Sequence, residues 1–272
     1  MYYINGLLSN VRSVATNFIM YQLILLSVIA TVCLASPLPD SGRVVNGTNA
    51  KEGEIPYIVS VRVNKTPFCG GSILDRTHIL TAAHCVENLP ADLITIQYGI
   101  LRIYQTEENI IQVKSMKMHE NYDPSDNYAN DIAVLTLASP ITLGNSAQLI
   151  VLPKQNEAPP AGATAVLAGW GRSATGGSII NHLQRVDLLV YSDADCSKAH
   201  GSTVNAIHHL CGGVPEGGKG QCSGDSGGPL AINGKQIGIV SWSVKPCAIK
   251  GYPGVYCRVA SYVNWIQEQM KN

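Results

Sequence analysis

Phenylalanine occurs only twice in 272 residues, against twelve tyrosines, and charged residues make up only 14% of the chain. Nineteen basic and nineteen acidic residues cancel, so there is no excess of either sign. That balance excludes a basic footprint for nucleic acid and a polybasic membrane patch. No pair of cysteines has the C-x-x-C spacing, which argues against a zinc knuckle and against a thioredoxin-type redox motif. Internal repeats and low-complexity tracts are missing as well. Helical periodicity is scarce until the last dozen residues, and apolar stretches are short apart from one near the N-terminus.

What is present is a hydrophobic share of 46%, enough for a well-filled core. Short strand-like runs alternate with turn residues. Ile58 to Val63 alternates apolar residues with Ser60 and Arg62; Ile94 to Ile96 and Ile110 to Val113 follow, then a run ending at Leu137. A second series comprises Ala165 to Ala168, Val186 to Val190 and Gln236 to Trp242. Many short strands without a 3.6-residue period point to barrels or sandwiches. A proline-rich connection from Leu152 to Gly162 separates the two series. At the end, Ser261 is placed to cap a helix that gathers Val263, Ile266 and Met270 on one face.

The N-terminal run Leu23–Ala30, closed by Val32-Cys33-Leu34-Ala35, has the pattern of a secretory signal over residues 1–35 cut before Ser36, with Met20 as an alternative start. A membrane anchor is the competing reading, but Gln22 interrupts a stretch already short for spanning. A secreted protein folds where disulfides persist. Residues 36–43 read as an exposed propeptide. Loss of Cys33 would leave seven of the eight cysteines.

The most specific segment is Gly224-Asp225-Ser226-Gly227-Gly228-Pro229. It sets one hydroxyl among residues without obstructing side chains, and the N–H groups of Gly224 and Ser226 can converge on one point. A serine needs an adjacent base and an oxyanion site to act as a nucleophile. A bland glycine-rich turn is the alternative. Upstream, Thr81-Ala82-Ala83-His84-Cys85 offers the base, and Asn130-Asp131, opening an apolar run, offers the orienting acid. The order His, Asp, Ser is one of the few known to build such a relay.

With these motifs in hand, residues 43 to 272 resemble the chymotrypsin-type (trypsin-fold) serine protease family. The resemblance implies an all-β fold: two antiparallel six-stranded β-barrels packed face to face, over about 44–150 and 162–259, with a C-terminal α-helix over about 261–271. It implies a catalytic triad of His84, Asp131 and Ser226, an oxyanion hole from Gly224 and Ser226, and Ser241 hydrogen-bonded to the acid. It implies disulfides Cys69–Cys85, Cys196–Cys211 and Cys222–Cys247, leaving Cys257 as a buried thiol. A zinc reading of Cys69, His84 and Cys85 is disfavoured. Arg43-Val44 resembles the activation junction, cut by a trypsin-like protease, after which the new ammonium at Val44 pairs with Asp225.

The same resemblance implies a specificity pocket with Gly220 at its base and Ser243 and Gly254 on its walls. Without a carboxylate at the base, a buried cation would be uncompensated. Small walls then leave an open apolar slot and cleavage after Tyr, Phe or Leu, while an elastase-like preference follows if Ser243 narrows the slot. A non-catalytic binding protein of the same shape is the reading from another class, opposed by the intact triad. No cofactor and no metal are expected. Ile100 stands where the family's first calcium ligand would be, and Glu107 and Glu108 form one acidic pair, a weak cation site. A secreted monomer is expected, without nucleic-acid partners and free of membranes after processing, acting on proteins and peptides, open to protein inhibitors, and digestive in layout. Asn46 and Asn64 each open a glycosylation sequon.

Overall fold

The computed structural model describes residues 44–105 and 107–271. The expected signal over 1–35, with Met20 and Cys33, and the expected propeptide over 36–43, with Arg43, lie outside the described residues. After a short strand β1 (Thr48–Asn49), a first set of six comprises β2 (Ile58–Val63), β3 (Thr66–Ile73), β4 (His78–Thr81), β5 (Ile94–Tyr98), β6 (Ile110–Met118) and β7 (Ala133–Leu137). These close into a barrel in the order β2-β3-β4-β7-β6-β5. The second set is β8 (Thr164–Gly169), β9 (Gln184–Val190), β10 (His209–Gly213), β11 (Pro229–Ile232), β12 (Lys235–Trp242) and β13 (Gly254–Arg258). The order β9-β10-β13-β12-β11-β8 closes through a β8–β9 pairing. All ladders are antiparallel, so the fold is two closed six-stranded barrels with a short C-terminal helix. Closure gives each of the six strands of either barrel a neighbour on both sides.

Helix α1 (Asp193–His200) is capped by Ser192, whose side chain accepts from the Asp195 N–H, and α2 (Val263–Gln269) closes the chain. Three local expectations change. Ser261 does not cap α2; its hydroxyl donates to Ile207 O at 2.5 Å, and a one-turn helix over Val259–Ser261 precedes Tyr262. Val263 and Ile266 are buried as the apolar face requires, with Met270 packed against the core. The Ile58–Val63 strand is not half-exposed: Ser60 and Arg62 are both buried. The Arg62 guanidinium is held by Lys65 O, Gln97 and Glu107, which offsets the cost of burying its charge. And β1 joins β9, so residues 48–49 extend the second barrel.

The β2–β3 turn shows why sequence chooses geometry here. Asn64 and Lys65 both adopt positive φ, at 49° and 66°, the two-residue turn whose twist suits a hairpin. Asn64 is exposed on this turn, whereas the Asn46 amide donates to Gly218 O at 2.7 Å. One core cluster runs through the first barrel and into Ala231, Ile239 and Cys257 of the second. Between the barrels, Ser72 donates to Gln236 at 2.6 Å, and Gly70 N donates to Ser226 O at 2.7 Å. Disulfides join Cys69 to Cys85, Cys196 to Cys211 and Cys222 to Cys247. Cys257 is a free, buried thiol, and burial pushes its pKa well up.

Candidate active site

His84 lies in a single helical turn, Ala83–Cys85, directly after β4. Asp131 stands two residues before β7. Because β4 pairs with β7 in the register Thr81↔Ala133, residues 47 apart in sequence meet. His84 Nδ1 lies 2.8 Å from Asp131 Oδ2, and the His84 backbone N–H donates to Oδ1 at 2.9 Å. From the second barrel, the Ser241 hydroxyl on β12 donates to Oδ2 at 2.6 Å. Asp131 is wholly buried, while His84 keeps 19% of its side chain exposed. A buried carboxylate with these three contacts is compensated for leaving water. It holds the imidazole with Nδ1 as donor, so the lone pair sits on Nε2.

Ser226 occupies the turn leading into β11 and lines the same cleft as His84, Ser241 and Gly224, a space of about 600 Å³. No hydrogen bond joins Ser226 Oγ to His84 Nε2 in this state; such contacts often tighten only with substrate. The turn depends on bare backbone at two points. A Cβ on Gly227 would stand 2.3 Å from Thr81 Oγ1 and 2.6 Å from Gly70 O, closing the gap where the barrels meet. Gly224 has φ +96°, and a Cβ there would be 2.7 Å from Ile179 Cδ1. Among the described residues, neither the Gly224 nor the Ser226 N–H donates to a protein acceptor. Two unspent donors beside one hydroxyl can receive a developing oxyanion.

Asp225 turns the other way and is almost fully enclosed. Its oxygens accept from Gly171 N and Cys222 N, each at 2.9 Å. Burial nonetheless pushes its carboxyl up to about 6, the two N–H groups and Lys245 opposing the shift. Val44 is buried in the second barrel's core, in one cluster with Tyr256, a ring near enough to feel the Asp225 charge. Cys69 and Cys85 lie beside His84, but their bond leaves no thiolate for a metal. Asp123 and Asp126 are exposed in the loop before Asp131, Asp123 accepting from Ser125 N and Oγ. Of the other histidines, His209 is buried and accepts from Asn205 N, while His208 meets the Tyr262 hydroxyl.

The pocket residues are arranged differently from the open slot expected of small residues. Ser243 lines both the main cleft and a separate cavity of only about 10 Å³, whereas Gly220 and Gly254 line that small cavity alone. Gln221, a residue the sequence reading passed over, likewise belongs to both linings. Its position next to the pocket base was the one available signal: a long polar side chain there has nowhere to go but inward or out to solvent.

Fold and site together define a two-barrel serine hydrolase, with a Ser, a His and a buried Asp supplied by separate strand ends. A family model described as Trypsin matches residues 44–266. Trypsin Blo t 3 of Blomia tropicalis is 37% identical over 263 residues, covering 90% of this chain and 97% of its own. Trypsin-1 of Astacus astacus is 38% identical over 238 residues, covering 82% and 98%. The chain belongs to the trypsin family, and it is a serine endopeptidase. Protein substrates, and protein inhibitors in general, follow from that membership. No helix among the described residues is long and apolar enough to cross a membrane.

Proposed function

We propose that the protein is secreted as a zymogen, cut after Arg43 by a trypsin-like protease, and then hydrolyses peptide bonds after uncharged apolar residues, with a digestive role as a monomer. Ser226 Oγ attacks the carbonyl carbon while His84 Nε2 takes its proton. The Gly224 and Ser226 N–H groups receive the oxyanion. Collapse breaks the C–N bond, His84 protonates the departing amine, and water attacks the acyl-enzyme by the same route. Asp131 holds the imidazole tautomer through Nδ1, and Ser241 positions Asp131. The observation that carries this reading is the set of three hydrogen bonds that tie buried Asp131 to His84 and Ser241, both of which line the cleft that also holds Ser226. Labelling of the cut enzyme by a serine-directed sulfonyl fluoride, lost in Ser226→Ala together with peptide hydrolysis, is the expected outcome; hydrolysis by Ser226→Ala would refute it.

The neutral preference rests on the small cavity at the pocket base, whose lining carries Lys219 and no carboxylate. An Arg or Lys side chain would find no counter-charge there. The relatives' name, trypsin, therefore does not transfer to this chain's choice of bond. Tyr, Phe and Leu are the residues first expected before the cut. One observation favours a second reading, cleavage after smaller residues: Gln221 stands between the cleft and the pocket base.

A further inference from the structure

We infer that Gln221 sets the depth of the primary specificity slot, closing it to aromatic side chains and making short aliphatic ones, Ala to Leu, the preferred residues before the cut bond. The inference rests on the endopeptidase reading of the cleft. Gln221 follows Gly220 directly and is 3% exposed. Its Nε2 donates to Trp242 O at 2.6 Å and to Val255 O at 3.3 Å. These carbonyls belong to facing residues of β12 and β13, at the irregularity after Val240, so the amide bridges the two strands that wall the slot. Two carbonyl acceptors identify this end as nitrogen and use both of its hydrogens. The other end, Oε1, is buried and meets no donor.

Gly254 explains how the side chain fits. A Cβ there would lie 2.9 Å from Gln221 Cδ and 3.0 Å from Oε1. The missing side chain at Gly254 therefore gives its room to Gln221, not to substrate. Beyond the amide only about 10 Å³ remains, space for a single water, whereas a cavity that takes benzene measures about 150 Å³. An aromatic side chain could reach the slot base only by expelling Gln221, orphaning the Trp242 and Val255 carbonyls that it satisfies. A short aliphatic side chain needs no such displacement, since it ends in the part of the cleft above the amide. Charge adds nothing to aromatic binding here, because Gln221 is neutral.

The test is kcat/KM of the Arg43-cut enzyme on one peptide series differing only before the cut bond: Ala, Val, Leu, Phe, Tyr and Arg. Concentrations are fixed by sulfonyl fluoride titration, and Gln221→Ser and Gln221→Ala are compared with the parent. Leu should exceed Phe and Tyr by tenfold or more in the parent, and the Phe-to-Ala ratio should rise at least tenfold in both variants. A parent that prefers Phe or Tyr to Leu, or a ratio that moves less than twofold in the titrated variants, overturns the inference while leaving the endopeptidase reading intact. Cleavage of no peptide, with no labelling, overturns both. The parent ranking decides the matter even if neither variant folds.

Discussion

Cutting the chain after Arg43 should change how stability depends on pH, and the size of the change follows from Asp225. In the uncut chain this carboxyl is enclosed, accepts two backbone N–H groups, and is pushed from 3.8 to about 6. At about 1.4 kcal/mol per pKa unit, that shift sets roughly 3 kcal/mol against the ionised inward form. This is a factor on the order of 100 in favour of proton uptake or of an outward turn. Folding raises this pKa, so the folded precursor holds its proton more tightly than the unfolded chain. The associated stability is complete below the unfolded value near 4 and is lost as pH rises through about 6. If the proposed cut frees an ammonium at Val44 to pair with Asp225, it should supply the missing counter-charge, and the penalty on ionisation should disappear.

The measurement is thermal unfolding of the uncut and cut forms, both carrying Ser226→Ala to prevent self-digestion, at about pH 4.5 and about pH 7.5. Between these conditions the precursor should lose roughly 2 kcal/mol relative to the cut form. For a domain of this size that is a gap in Tm widening by about 4–8 °C. With Asp225→Asn in both forms the widening should vanish. A gap between uncut and cut forms that is the same at both pH values would refute the argument that an uncompensated Asp225 opposes the mature arrangement.

Further outcomes follow from the same geometry. Asp131→Asn should lower kcat by about 10⁴ with little change in KM, since the imidazole then favours the wrong tautomer; single-turnover rates on one peptide check it. Ser241→Ala removes one of three bonds to a buried carboxylate, worth about 1.5–3 kcal/mol for a charged acceptor, and steady-state kinetics should show the loss in kcat. Gly224→Ala, which must fit a Cβ against Ile179 at positive φ, should lower kcat by about 10²–10³ as the oxyanion donors shift. Removing Cys196–Cys211, which closes a span of 15 residues, should cost about 3 kcal/mol by denaturant titration, without altering the ranking of substrates.

Much of the fold was legible because closed barrels need short alternating strands, and the glycine-rich turn around Ser226 admits few other uses. The triad came from motifs and chain order; no propensity could have shown that the β4–β7 register would lay His84 on Asp131. Three features were hidden for physical reasons. Arg62 reads as solvent-facing in a period-two pattern, and only the fold shows Lys65 O, Gln97 and Glu107 assembled around its guanidinium. Ser261 has a good capping side chain, but Ile207 O, 54 residues away in sequence, claims its hydroxyl. Small residues at Gly220 and Gly254 read as free space, yet space in a close-packed protein is filled by whatever neighbour reaches it. Here Gln221 does.

Cys257, sealed on β13 and resistant to ionisation, has a use that its chemistry alone would not suggest. Among the described residues Cys257 is the one free thiol, and a thiol reagent too large to enter the folded barrel will find it only when β13 has come apart, so its labelling rate counts opening events. Because Cys257 belongs to the cluster shared by both barrels, the two-barrel domain carries its own clock for global unfolding, with no probe to engineer.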